Sequence, residues 1–162
     1  MVRILISLAA AGIAAAAANA PVQAVPRVDL ARYAGKWYEI ARLPNWFQRG
    51  CAGAVTATYT LRADGRITVL NECRTSEGRA KRISGTGRLA DAREPNGKLK
   101  VTFFWPFSAN YWIIGLDADY RWALVGDPGR GYLWILSREP KISDALYREI
   151  TALAARQGFD TG

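Results

Sequence analysis

The sequence predicts an all-β protein, an eight-stranded antiparallel up-and-down barrel with one α-helix packed outside it near the C-terminus. Three observations predict it. Eight short segments between residues 36 and 137 carry strand-like apolar alternation. Nearly all of them are joined by short turns rich in Gly, Asp, Asn and Pro. Beyond Pro140 the apolar period changes to that of a helix. Eight antiparallel strands suit a closed barrel; an open sandwich is the alternative.

Residues 36–42 form the first strand. Residues 53–61 alternate, with Val55, Ala57, Tyr59 and Leu61 on one face and Thr56, Thr58 and Thr60 on the other. Ala63-Asp64-Gly65 is a hairpin turn, and residues 66–73 return with Ile67, Val69 and Asn71 against Arg66, Thr68 and Glu72. Residues 79–89 include Gly85 and Gly87, as expected of a strand that bends around a barrel. Glu94-Pro95-Asn96-Gly97 turns the chain into residues 98–104, which put Leu99, Val101 and Phe103 inward and Lys98, Lys100 and Thr102 outward. Residues 111–116, 121–125 and 132–137 complete the set, broken by turns at 117–119 and 127–131. Ser143 can then cap a helix whose Leu146, Ile150, Leu153 and Ala154 form one stripe. Arg156 falls in its last turn and Gly158 terminates it.

Counting directions checks the scheme. With Trp37 at the floor, alternate strands place residues 43–51, 75–78, 105–109 and 127–131 at the rim. The floor receives residues 94–97 and 117–120, and the last strand descends to bring Arg138 beside Trp37. Cys51 and Cys73 fall at the rim on adjacent strands.

The first residues read as a leader rather than as part of the fold. Arg3 precedes an apolar, Ala-rich run over residues 4–18, followed by small-residue sites at Ala18-Asn19-Ala20 and Val22-Gln23-Ala24. Pro21 disfavours the first site, so cleavage is expected after Ala24. That leaves residues 1–24 as a removed signal peptide and residues 25–162 as a single domain. The run is short for a membrane span, although an uncleaved anchor is the alternative. No cysteine lies in or just after it, so a lipid-anchored form is not expected. The protein is expected in the periplasm or secreted, with any outer-membrane association made without a lipid anchor.

Export makes the two cysteines readable. Cys51 and Cys73 are an even pair in an oxidising compartment and are expected to form a disulfide, two buried thiols being the alternative. The 162 residues contain no His and one Met, at position 1. Ser-His triads, His-ligated haem and most zinc sites lose their usual parts, so no catalysis, metal or cofactor is expected. The net charge of +8 suits transient contact with an anionic membrane surface. The basic residues are dispersed and lack nucleic-acid-binding motifs, so nucleic acid is not an expected partner.

Gly35-Lys36-Trp37, Asp119-Tyr120 and Arg138 resemble the three signature regions of the lipocalins. The stretches GKWYEIARLPNWFQRG, VTATYTLRADGRITVLN, ALVGDP, YLWILSR and GFDTG are similar to its bacterial, outer-membrane and apolipoprotein D-like branch. The resemblance runs from about residue 28 to the C-terminus. It implies an eight-stranded barrel with a C-terminal helix, and storage or transport of small apolar ligands. In the bacterial branch these are fatty acids and lysophospholipids linked to the cell envelope. Two positions depart from that branch: the lipoprotein cysteine is missing, and Ala118 replaces the Thr of a Thr-Asp-Tyr motif. The resemblance also implies that the Arg138 guanidinium lies over the Trp37 indole as a structural floor.

Inward parity then nominates a ligand-binding wall. Tyr132, Trp134 and Leu136 share the parity of Arg138, with Trp122 and Leu124 expected on the neighbouring strand and Tyr111 and Ile113 on the next. Tyr59, Val69, Val101 and Phe103 complete the cup, which could instead be a filled core. Glu39 shares the parity of Trp37 and needs a Tyr or Arg partner, or a ligand head group. The rim carries Arg42, Trp46, Phe47, Arg49, Trp105, Phe107 and Arg130. Its aromatics suit a membrane-facing mouth or a dimer contact, or fold inward as a lid, and the chain is expected to be a monomer or weak dimer.

Overall fold

The computed structural model describes residues 20–94 and 96–162. The apolar run of the expected signal peptide and its residues 1–19 lie outside the described residues. A short helix α1 (Leu30–Tyr33) precedes strands β1 (Gly35–Arg42), β2 (Gly53–Leu61), β3 (Ile67–Arg74), β4 (Ala80–Leu89), β5 (Lys98–Phe104), β6 (Phe107–Leu116), β7 (Trp122–Gly126) and β8 (Leu133–Ser137). Helix α2 (Asp144–Arg156) follows. Each strand pairs antiparallel with the next, and β8 closes on β1 through Tyr38 opposite Ser137 and Arg42 opposite Trp134. The barrel is therefore closed, as the alternation and short turns required. The sequence pattern missed α1, and it began the sixth strand four residues late, leaving Phe107–Asn110 outside.

Two clusters of buried side chains divide the interior from the outer layer. Trp37, Tyr59, Val69, Leu99, Val101 and Ile113 belong to the barrel core. Leu124, Leu133, Ile135, Ile150, Ala154 and Phe159 form the seam between the barrel wall and α2. The Ser143 Oγ caps α2 by accepting from the Leu146 amide at 3.2 Å. At the other end Gly158 adopts a left-handed φ of 82°, its amide donates to the Ala155 carbonyl, and the Phe159 amide donates to that of Ala154. This paired closure folds Phe159 back onto the barrel. Gly126 is required beneath it, because a Cβ there would stand 2.7 Å from the Phe159 ring.

Residues ahead of the expected cleavage point pack on the barrel and α2. Val22 is buried in the seam under α2. The Gln23 amide donates to Gln157 Oε1 at 2.7 Å, and Gln157 Nε2 donates back to the Gln23 carbonyl at 3.1 Å. Cleavage after Ala24 would discard these contacts, whereas cleavage after Ala20 would keep them. A chain beginning at Val25 is expected to be about 2 kcal/mol less stable than one beginning at Pro21, mostly from the lost burial of Val22. Urea denaturation of the two chains measures the difference, and equal midpoints would show that the segment only rests on the surface.

Cys51 and Cys73 are joined, with Cα atoms 5.6 Å apart. The bond pins the loop after β1 to the upper end of β3. Replacing both cysteines by serine is expected to cost about 3 kcal/mol through the freed loop, read from the urea midpoint under non-reducing conditions.

Candidate ligand-binding site

The floor is built first, because it decides where a cavity can lie. Asp29 caps α1, its Oδ1 accepting from the amides of Ala31 and Arg32. This turns Tyr33 into the barrel, where it is buried against Trp37 and Tyr59, with ring centroids 4.9 and 5.3 Å away. The Trp37 indole N–H donates to the Tyr33 carbonyl at 2.8 Å. Arg138 lies beneath, its Cζ 3.8 Å from the Trp37 ring centroid. Its guanidinium donates to the carbonyls of Tyr120, Lys36, Arg32 and Tyr33 at 2.8–3.2 Å. Four carbonyls from three chain segments, α1, the start of β1 and the β6–β7 turn, are thus tied through one planar cation, a task for which the fixed fork of donors suits arginine. Gly35, at φ 100°, lets that cation approach, because a Cβ there would lie 3.0 Å from Arg138 Nη1.

Above this floor the barrel holds a cavity of about 420 Å³, within the usual range of small-molecule sites. It is walled by Tyr59, Val69, Val101, Phe103, Tyr111, Tyr132, Trp134 and Leu136, with Glu39 at one side. All nine were nominated from parity. Tyr132 and Trp134 stack at 5.8 Å with nearly parallel rings, giving a flat aromatic wall.

Three nominated residues stand elsewhere. Trp122 and Leu124 face outward into the seam under α2, while Ala123 and Val125 point into the barrel. Pairing explains this, because Val125 lies opposite Trp134 and Ala123 opposite Leu136, and partners across an antiparallel ladder share a face. The parity count slipped because Tyr120 adopts a left-handed φ of 59° and because the β6–β7 register shifts between Ile113 and Gly115. Ile113 does point inward, but it is buried in the core and does not line the cavity.

The Glu39 side chain is only 7% exposed and is held on both oxygens. Arg42 Nη1 donates to Oε1, and Gln48 Nε2 donates to Oε2 at 2.8 Å. Gln48 Oε1 in turn accepts from the Trp134 indole at 3.0 Å and from Asn45 Nδ2 at 2.6 Å. The loop between β1 and β2 is thereby fastened to the cavity wall through one amide. Gln48 was missed because its loop has no period to read. Ala57 and Asn71 also line the cavity, and they could have been found two residues along from Tyr59 and Val69.

The rim splits between the two arrangements considered for it. Phe47 folds inward, 5.6 Å from the Tyr132 ring and 6.3 Å from that of Trp134. Trp46, Trp105 and Phe107 are exposed to 70%, 88% and 78%, and Phe104, not foreseen at the rim, joins them at 71%; Trp46, Phe104 and Phe107 border the mouth of the cavity, whereas Trp105 stands outside it. Arg49 is exposed on the same loop as Trp46. Arg130 does not serve the mouth. Its Nε donates to the Gln157 carbonyl at 2.8 Å and its Nη2 to the Ala20 carbonyl, so it anchors the β7–β8 turn to the end of α2.

Comparison with known proteins agrees with this geometry. Residues 28–162 match the family model of the lipocalin-like domain. The chain is 46% identical over 147 residues to the outer membrane lipoprotein Blc of Escherichia coli (strain K12), covering 86% of this chain and 78% of that protein. It is 34% identical over 128 residues to apolipoprotein D of Bos taurus, covering 74% and 65%. Among solved structures, the cockroach major allergen Per a 4 superposes with a TM-score of 0.65 at 22% identity, over 82% of this chain and 83% of that one. That last likeness is one of fold.

Proposed function

The chain belongs to the lipocalin family, whose members bind small hydrophobic ligands, and on that premise we propose that it stores and carries a long-chain fatty acid or lysophospholipid in the bacterial cell envelope. The observation that carries the proposal is the cavity above the Trp37 floor, whose wall is mostly aromatic and aliphatic with few polar groups. Each methylene moved from water into such a wall is worth about 0.8 kcal/mol before the costs of association. A chain of sixteen carbons therefore has ample driving force for a micromolar Kd, which needs only about 8 kcal/mol.

The proposed role is binding without catalysis. The disulfide consumes both thiols, and the sequence supplies no imidazole. Glu39, the one carboxylate on the cavity wall among the described residues, already has an arginine and an amide as partners.

The likeness to an outer membrane lipoprotein supports export. With no cysteine in or just after residues 4–18, the proposal places this chain in the envelope without a lipid anchor. The exposed aromatics at the rim, beside Arg49, suit transient contact of the mouth with a membrane surface.

Titration with cis-parinaric acid tests the reading. Trp134 stands on the wall, so entry of the polyene should quench tryptophan fluorescence saturably, at one site per chain, and hexadecanoic acid should reverse it. Absence of saturable quenching would contradict the proposal.

A further inference from the structure

The deep end of the cavity is not purely apolar. The Tyr111 hydroxyl lies 2.7 Å from that of Tyr33 and 2.7 Å from that of Tyr59. Three phenols are thus chained through two hydrogen bonds, with Tyr111 in the middle. Three hydroxyls bring three protons, and two bonds between them use two. Among the described residues these hydroxyls make no other hydrogen bond, so one proton is left over. Tyr59 and Tyr111 line the cavity, whereas Tyr33 is sealed into the floor on α1. The leftover proton sits on Tyr111 if both neighbours donate to it, on Tyr59 if Tyr33 donates to Tyr111 and Tyr111 to Tyr59, and on Tyr33 if the bonds run the other way. The last arrangement seals a donor into the floor with no acceptor, which is costly, so the arrangements that leave the donor on Tyr111 or Tyr59, residues that line the cavity, are favoured.

The chemistry of the surroundings narrows what would accept it. No lysine or arginine is among the described residues that line the cavity, and Arg138 lies on the far side of Trp37. Burial, the largest cause, pushes all three phenols well above their ordinary range, and the negative charge of Glu39 pushes Tyr59 in the same direction. The cluster therefore stays neutral and donating, in a place that disfavours an anion. A plain methyl end pressed against it leaves a buried donor unpaired, which a neutral oxygen would not.

We propose that the Tyr59–Tyr111 pair forms a polar subsite at the bottom of the cup that takes a neutral hydrogen-bond acceptor, a carbonyl, ester or hydroxyl oxygen, on the buried end of the ligand. The inference rests on the lipid-binding reading and narrows it. Among long-chain lipids, the barrel then prefers those oxygenated near the end that enters first.

The test compares hexadecanoic acid with 15-oxohexadecanoic acid, each displacing cis-parinaric acid. Wild-type protein should bind the keto acid about tenfold more tightly, the worth of one well-placed hydrogen bond. In a Tyr59→Phe/Tyr111→Phe chain the ratio of the two affinities should fall to about one. A second reading needs no variant. The infrared carbonyl stretch of the 13C-labelled ketone, bound to wild-type protein, should lie at lower wavenumber than in hexane. Equal affinities in wild-type protein, or a stretch unchanged from hexane, would overturn the subsite while leaving lipid binding standing. Failure of both acids to displace the probe would overturn the subsite and the lipid reading together.

Discussion

Replacing Trp37 with alanine is expected to lower folding stability by about 4 kcal/mol, at the upper end for a buried large-to-small change. The indole is fully buried, so its removal leaves a void between the Tyr33 ring and the Arg138 guanidinium. Its N–H also satisfies the Tyr33 carbonyl. The guanidinium loses the aromatic face that compensates its partial burial. Arg138→Ala removes the other half of the pair and leaves the carbonyls of Tyr120, Lys36, Arg32 and Tyr33 without their shared donor. Trp37 and Arg138 touch, so the double substitution should cost clearly less than the sum of the singles. Urea denaturation of the four chains measures this cycle. Additive losses would mean that the two residues support the floor independently.

The second large effect is on binding. Ala57 lines the cavity on β2, two residues along the strand from Tyr59 and on the same face. Ala57→Trp puts an indole into the space proposed for the acyl chain. Affinity for cis-parinaric acid should fall more than a hundredfold, because roughly five methylenes of contact are displaced at about 0.8 kcal/mol each, offset in part by cheaper entry costs. Folding stability should fall by about 1–3 kcal/mol, because Ala57 is buried beside the cavity and stands opposite Trp37 and Asn71 on its two ladders, so the larger side chain partly overpacks the wall. A variant that folds and binds the probe as tightly as the wild-type protein would place the ligand outside the barrel.

What the sequence revealed depended on how clearly each strand separates a wet face from a dry one. On β2, β3 and β5 polar and apolar residues alternate, so Tyr59, Val69, Val101 and Phe103 were legible as cavity wall. On β7 both faces are dry, one against the barrel interior and one under α2. Its run Trp122-Ala123-Leu124-Val125 therefore carries no alternation to read. With that signal gone, the left-handed Tyr120 and the register shift between β6 and β7 moved the count by one residue.

Other gaps have their own causes. Helix α1 has four residues, too few to show an apolar stripe. Gln48 acts through a loop whose path is set by its hydrogen bonds to Glu39 and Trp134, not by any period. The floor pair was legible despite a separation of about a hundred residues, because counting strand directions around a closed barrel depends only on the number of strands and turns.

Organic extraction of wild-type protein and the Ala57→Trp chain, purified side by side from the envelope fraction and read by mass spectrometry, tests the central claim most directly. The account predicts a long-chain fatty acid or lysophospholipid at up to one molecule per wild-type chain, and its loss from the variant. A wild-type extract free of such lipids, or the same lipid recovered equally from both proteins, would contradict it.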